Sequence, residues 1–301
     1  MNKKEVVAKL LEKGVLVSPG MLTNIDENNI SGYMRTKSVV VTEPEEHKTE
    51  RIKIEINTPE IKPKLDVQDV VNYYNVIYNN IHTVLEKKVD ATSINKIGGT
   101  SSEVSIIGMI KEKTSHGFII DDPTGEIEVV SNDPVESNTV IGVIGIVREN
   151  KLIQKKMVLP DLPLPQKTDT MNIILGLTAE KKSVKADTIL TFTDEDVKEE
   201  NEHKIDSKYS QVLVSKGRTK MKIIVYKPDE NVNEEEATLF LKRRLITTNN
   251  KINNQILIEN APHIFWLVQN QDWNKIYKGV NIISTSKTVT VDLSSWKVEF
   301  I

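Results

Sequence analysis

The chain has 301 residues, with 40 Lys and Arg against 43 Asp and Glu, a net charge of −3 and no Cys. The absence of Cys excludes disulfides, thiol nucleophiles and Cys-ligated zinc, and fits an intracellular protein. The near-even charge excludes a uniformly basic nucleic-acid coat but not a local basic groove, because binding follows the local field.

The length predicts two or three domains. No apolar run approaches the roughly 18 residues of a membrane span. The N-terminus leads into an amphipathic run, not a signal-peptide core. These features predict a cytoplasmic protein with no membrane partner. Aromatic residues make up only 5%, so the core must rest on Ile, Val and Leu.

In chain order, residues 4–13 carry Val6, Val7, Leu10 and Leu11 on one helical stripe, with Gly14 as C-cap and a further turn from Ser18-Pro19 to Leu22. This predicts a helical module over 1–26. Residues 27–65 are polar and broken by Pro44, Pro59 and Pro63. They read as a linker in which the alternation of Ile52, Ile54 and Ile56 predicts one edge strand. A long helix is predicted over 67–88, N-capped by Asp66. Its stripe is Val67, Val70, Val71, Tyr74, Tyr78, Ile81 and Leu85.

From 102 onward the period becomes two. Segments 103–109, 117–121, 126–130, 140–147 and 152–158 read as five strands, with Asp122-Pro123-Thr124-Gly125 as a tight turn. Five short strands in so small a span suit a closed barrel of the OB type. Gly108, Gly142 and Gly145 would ease its bends. The run Pro160-Asp161-Leu162-Pro163-Leu164-Pro165 predicts a stiff connector and a boundary, making 66–165 a helix-plus-barrel domain. Residues 166–301 hold strand candidates at 171–177, 188–192, 211–214, 222–226, 256–258, 264–268, 280–283 and 288–291, and a helix at 235–245. Residues 194–206 read as an acidic solvated loop. The whole is an α+β multidomain chain.

Chemistry-bearing motifs are few. The five His residues, His47, His82, His116, His203 and His263, fit no HExxH or HxH spacing, and no phosphate-binding loop or nucleophile elbow is present. His47 and His203 lie in charged segments and read as exposed. Lys111, Lys113, Lys155 and Lys156 fall in the barrel, where a phosphate-tracking groove would need them. Lys242-Arg243-Arg244 read as a solvated helix face. Asp194, Asp196, Asp229 and Asp272 would form a nuclease metal site only if they converged. No cofactor motif is found, and no Gln-x-x-aliphatic-x-x-aromatic-aromatic sliding-clamp motif.

One resemblance covers most of the chain. It runs through Leu11-Glu12-Lys13-Gly14-Val15-Leu16-Val17-Ser18-Pro19, the Tyr74 and Tyr78 helix into Leu85-Glu86-Lys87-Lys88, and Val104-Ser105-Ile106-Ile107-Gly108-Met109-Ile110. It continues with Asp121-Asp122-Pro123-Thr124-Gly125-Glu126-Ile127, Val140-Ile141-Gly142-Val143 and Leu159-Pro160-Asp161-Leu162-Pro163-Leu164-Pro165. In this order they resemble the small subunit of archaeal D-family DNA polymerase, related to the B-subunits of eukaryotic replicative polymerases. The likeness is strongest over 67–165.

The resemblance implies an OB barrel followed, over 166–301, by a calcineurin-like phosphoesterase α/β sandwich. In the family, His and Asp residues of that domain hold two metal ions for 3′→5′ proofreading. It also implies a large catalytic partner subunit, DNA bound through the complex and a nucleoid-associated location. The metal motifs depart from the family. Leu175-Gly176-Leu177 stands where Asp-Ile-His is expected. Pro228-Asp229-Glu230-Asn231 stands for Gly-Asn-His-Asp, placing Glu230 at an imidazole position. Val268-Gln269-Asn270-Gln271 stands for Gly-His-Val-His, placing Gln269 and Gln271 at two more, although the closing strand Tyr277-Lys278-Gly279-Val280-Asn281-Ile282-Ile283 still matches. Gln is a poor substitute for imidazole on a transition metal. The expectation is a reduced, metal-free phosphoesterase fold in a non-catalytic accessory subunit. The alternatives are a free OB-fold single-strand-binding protein, which needs stacking aromatics where the barrel has only Phe118, and a nuclease with a rearranged site.

Overall fold

The computed structural model describes residues 16–17, 40–41, 51–58, 66–97, 102–163, 170–180, 184–197, 199–247 and 255–301. The predicted helix over 4–13, its Gly14 cap and the turn from Ser18 lie outside them. The chain divides into two compact units, 1–51 and 52–301. In the first, β1 (Leu16–Val17) pairs in parallel with β2 (Val40–Val41).

The second unit opens with β3 (Ile52–Asn57), whose alternate side chains are half-buried as the Ile pattern predicts. It is the edge of a six-stranded sheet, not an isolated ribbon. Helix α1 (Val67–Glu86) follows, with the Asp66 carboxylate accepting from the Asp69 amide as N-cap. The apolar stripe is only half used. Ile77, Ile81 and Leu85 are fully buried against Ile107, Val140 and Leu245, each contributing about 2 kcal/mol. Val67 is 81% exposed and Val71 45%. The N-terminal half of the helix overhangs the surface that its C-terminal half packs on.

The five-strand prediction holds. β4 (Glu103–Thr114), β5 (Gly117–Asp122), β6 (Gly125–Val130), β7 (Val140–Arg148) and β8 (Lys151–Val158) close in the order β4-β5-β6-β8-β7. The lone parallel contact is between β6 and β8. Ile106, Ile110, Phe118, Ile120, Ile141 and Leu152 fill the interior, with Ile94 and Ile97 of a short 3₁₀ turn packed against them. The Asp122 carboxylate organises the predicted tight turn, accepting from the Thr124 amide and hydroxyl and the Gly125 amide. Its other oxygen accepts from the Ile94 amide. Two strand glycines answer a demand for space more than for bending. A Cβ at Gly145 would lie 2.2 Å from the Ile153 carbonyl oxygen, and one at Gly108 2.5 Å from that of Asp121.

Beyond the connector, two sheets share one apolar core. The first has the order β11-β10-β9-β19-β20, from β9 (Ile174–Thr178), β10 (Thr188–Phe192), β11 (Glu202–Ile205), β19 (Val289–Asp292) and β20 (Lys297–Phe300). The second has the order β17-β18-β16-β13-β12-β3. Its strands besides β3 are β12 (Tyr209–Lys216), β13 (Thr219–Tyr226), β16 (Ile264–Leu267), β17 (Trp273–Tyr277) and β18 (Val280–Ser284). Leu175, Leu177, Leu190, Val212, Ile223 and Trp266 meet between them. Helix α2 (Glu234–Arg243) packs Ala237 and Leu241 on the opposite face of the six-stranded sheet. A hairpin of β14 (Leu245–Thr247) and β15 (Gln255–Leu257) follows.

Three expectations are corrected. The acidic run at 194–206 is not all solvated loop, because residues 202–205 form β11 with Ile205 in the core. His203 within that strand is half-buried, and burial holds its imidazole below the usual histidine range. Lys242-Arg243-Arg244 is not a solvated face either. Arg243 is 5% exposed and pairs with Glu136 at 2.6 Å, and Arg244 donates to the backbone oxygens of Asp161 and Glu259.

The described part of the connector is held by hydrogen bonds. Asp161, at φ 50°, sits at the junction of the barrel with the sheets. Its carboxylate accepts from the Tyr277 hydroxyl at 2.7 Å and the Lys278 ammonium at 2.6 Å. Its amide donates to the Lys242 carbonyl, its own carbonyl accepts from Arg244 Nε, and Lys88 donates to the Pro160 carbonyl. Burial would raise the Asp161 carboxyl, but the hydrogen bonds from Lys278, Tyr277 and the Leu162 amide outweigh it and hold it below the usual carboxylate range. Asp161→Ala strands a tyrosine hydroxyl and a cluster of cations. It is expected to lower stability by about 3 kcal/mol, read as a reduced urea midpoint of the full chain.

Candidate functional site

A polar cleft of about 560 Å³ opens at the carboxyl ends of the sandwich strands, where open α/β sheets place their ligands. Each wall is the segment after a strand. Ala179 follows β9, Thr193 to Glu195 follow β10, Lys227 to Asn231 follow β13, Val268 to Asn270 follow β16, and Ser286 follows β18.

Of the residues singled out by sequence, Asp194, Asp229, Glu230 and Gln269 line this cleft. Leu175 and Leu177 do not. Both are fully buried between the sheets, and the rim after their strand is Ala179. Gln271 is exposed and outside the lining, as is Asp196. Asp272 pairs with Lys287 at 2.9 Å and accepts from the Thr285 hydroxyl. These two hydrogen bonds hold its carboxyl below the usual range.

Gln269 decides what the cleft can hold. It is 7% exposed. Its Oε1 accepts from the Val232 amide at 2.8 Å, while Nε2 donates to the Val232 carbonyl at 2.7 Å and to Ser284 Oγ at 2.9 Å. The side-chain amide thus pairs with a backbone peptide group in both directions and pins the loop that leads into α2. That loop runs into a capping box. The Asn233 side chain accepts from the Glu235 and Glu236 amides, and the Glu236 carboxylate accepts from the Asn233 amide. Other groups in the cleft are also engaged. Asp229 pairs with Lys208, and Lys227 Nζ stands 5.1 Å over the Phe192 ring. Among the described residues no three Asp, Glu or His side chains converge as metal ligands. The donor set therefore does not fit the pair of metal ions that the resemblance implies.

All four barrel lysines are exposed, and two of them are paired with glutamates. Lys111 pairs with Glu126 at 2.7 Å and Lys155 with Glu103 at 2.6 Å. Lys113 and Lys156 are exposed. Lys111 lies near one end of β4, and Glu103, which holds Lys155, opens the other. The four do not gather into one patch. Phe118 lies inside the barrel and offers no stacking platform to a base.

Sequence reasoning missed the role of His263. Its ring stacks on Trp296, and Nδ1 accepts from the Lys222 amide at 2.9 Å. Burial holds the imidazole below the usual histidine range.

No protein-family model matches the chain. It is similar to an archaeal polymerase subunit. Over 191 residues it is 25% identical to the DNA polymerase II small subunit of Archaeoglobus fulgidus, covering 52% of this chain and 39% of that protein. The chain thus spans about two-fifths of the length of the curated relative it matches. The likeness agrees with the resemblance carried by the ordered motifs. Among the described residues no helix is long and apolar enough to cross a membrane.

Two outcomes follow. Gln269→Ala leaves a buried peptide group unpaired and is expected to cost about 2–3 kcal/mol, with faster hydrogen exchange at the Val232 amide. Gln271→Ala, on the surface, is expected to stay within about 0.5 kcal/mol. The second outcome concerns pH. The folded pKa of His263 lies below its unfolded value, so the unfolded chain binds the extra proton. Its stabilisation is full above about pH 6.5 and is lost as pH falls through the folded pKa. Thermal unfolding between neutral and mildly acid pH is expected to show this loss. His263→Asn, which keeps an acceptor but cannot titrate, is expected to flatten the slope, leaving the contribution of His203.

Proposed function

We propose that this chain is a non-catalytic accessory subunit of a D-family-like DNA polymerase, docking on a large catalytic subunit and helping to position DNA. The similarity to an archaeal polymerase small subunit carries the reading. The strand order supports a finer assignment. Closure in the order first-second-third-fifth-fourth, with one parallel contact, is what an OB-type Greek-key barrel requires. Two mixed sheets around a shared core, with a cleft at their strand ends, suit a reduced calcineurin-like phosphoesterase domain.

The chemistry of the cleft favours lost proofreading. Two-metal phosphoester hydrolysis needs ligands that clamp both attacking and leaving oxygens. At the position of one family imidazole stands Gln269, whose amide is spent on Val232. What such a domain keeps is a rigid scaffold, since function lives in a site and not in a fold.

Co-expression of the full chain with the large polymerase subunit from the same genome tests the proposal. A stoichiometric complex that extends primers, together with no manganese- or magnesium-dependent 3′→5′ exonuclease activity from the chain alone, is the expected result. A chain that elutes apart from the large subunit overturns the accessory role. Metal-dependent nuclease activity abolished by Asp229→Asn overturns the loss of catalysis.

A further inference from the structure

The junction around Asp161 carries more positive charge than its own structure consumes. Lys88 at the end of α1, Lys242 and Arg244 at the end of α2, and Lys278 in the β17–β18 turn surround this one carboxylate. Lys278 binds Asp161 directly. Arg244 reaches only the backbone oxygens of Asp161 and Glu259. Lys88 donates to the Pro160 carbonyl, and Lys242 Nζ stands 5.7 Å from the Tyr277 ring centroid. With the exposed Glu259 beside Arg244 counted, four cations stand against two carboxylates, a local surplus on a chain whose net charge is −3. Burial, with the neighbouring Lys278 and Arg244 charges, holds the Lys88 ammonium below the usual lysine range in spite of Asp161. Yet Lys88 is exposed and the other three are part-exposed, so an incoming anion can reach them.

We propose that Lys88, Lys242, Arg244 and Lys278 form a binding site for the backbone phosphates of single-stranded DNA. This rests on the reading of the chain as a polymerase subunit and adds a surface apart from the barrel lysines. Two observations favour it over the barrel face. Lys111 and Lys155 each pair with a glutamate and the four barrel lysines do not gather into one patch, whereas these four cations converge on the junction at Asp161. The site also continues into a groove of about 350 Å³ beside Arg244, between α1 and β15, lined by Asn79, Asn80, Thr83 and Leu257, with Glu259 at its edge next to Arg244. A phosphate seated on the cations leaves its sugar facing these amide and hydroxyl side chains. Ammonium groups with hydrogen-bond capacity left over match the several acceptors of a phosphate, and the field of the cluster supplies the attraction that dominates such binding.

The test uses the intact chain. Lysine acetylation of the wild-type protein, read by mass spectrometry with and without an oligothymidylate, is expected to show protection of Lys88, Lys242 and Lys278. Protection confined to Lys111, Lys113, Lys155 or Lys156 overturns this site and leaves the accessory-subunit reading standing. No protection at any lysine also overturns it. In fluorescence anisotropy, Lys88→Gln/Lys242→Gln is expected to reduce the salt slope by about 1.4 and to bind the labelled oligothymidylate about 25-fold more weakly at about 0.1 M salt. Unchanged binding by this variant overturns the site. Poly-glutamate that protects the same lysines at lower concentration than the oligothymidylate overturns it in favour of an acidic protein segment. The wild-type footprint decides the question even if the double variant folds poorly, and the co-expression experiment reports on the subunit reading independently.

Discussion

The arrangement of the second unit depends on one carboxylate. Asp161 lies in the chain just after the last barrel strand, yet its partners come from the far end of the sequence, Tyr277 and Lys278, and from the end of α2. A left-handed backbone at Asp161 turns its carboxylate toward the β17–β18 turn while its amide and carbonyl bind α2. A second tie runs in parallel. Glu136, in the loop before β7, accepts from Thr247 and pairs with the buried Arg243. Barrel and sandwich are therefore joined by charge-assisted hydrogen bonds in partly dry surroundings, where such bonds are stronger than in water. The same bonds gather cations at the junction.

The cleft at the sheet ends is shaped by where its side-chain donors are spent. Strand ends converge there, and the backbone gathers side chains from five segments. An imidazole uses one nitrogen on a metal and the other on a second partner. The Gln269 amide instead closes a two-way pair with a peptide group and adds a hydroxyl contact. The side chain is a structural pin for the start of α2, and the capping box beside it makes that start well defined.

Residue patterns foretell the local elements because the forces behind them are local. The Asp66 cap of α1, the Asp122 turn and the period-two barrel strands follow from side-chain periodicity and from short-range hydrogen bonding to nearby amides. The alternation of Ile52, Ile54 and Ile56 marks a strand, but its partner β12 lies more than 150 residues away and no local signal names it. The stripe on α1 is continuous in sequence and only half of it is buried. Periodicity says which residues share a face, not how far the opposing surface extends.

The site divides in the same way. From sequence alone come the identities of Glu230, Gln269 and Gln271, the absence of Cys and the ordered motifs that resemble a polymerase small subunit, since these are matters of which atoms the chain possesses. Only the tertiary structure decides that Leu175 and Leu177 face the core, that Gln269 is bound to Val232, that Lys111 and Lys155 are paired with glutamates, and that Lys88, Lys242, Arg244 and Lys278 meet around Asp161. The physical reason is separation along the chain. Hydrogen bonds and Coulomb forces act over a few ångströms in space, and the groups that share them here lie from tens of residues to more than a hundred apart in sequence.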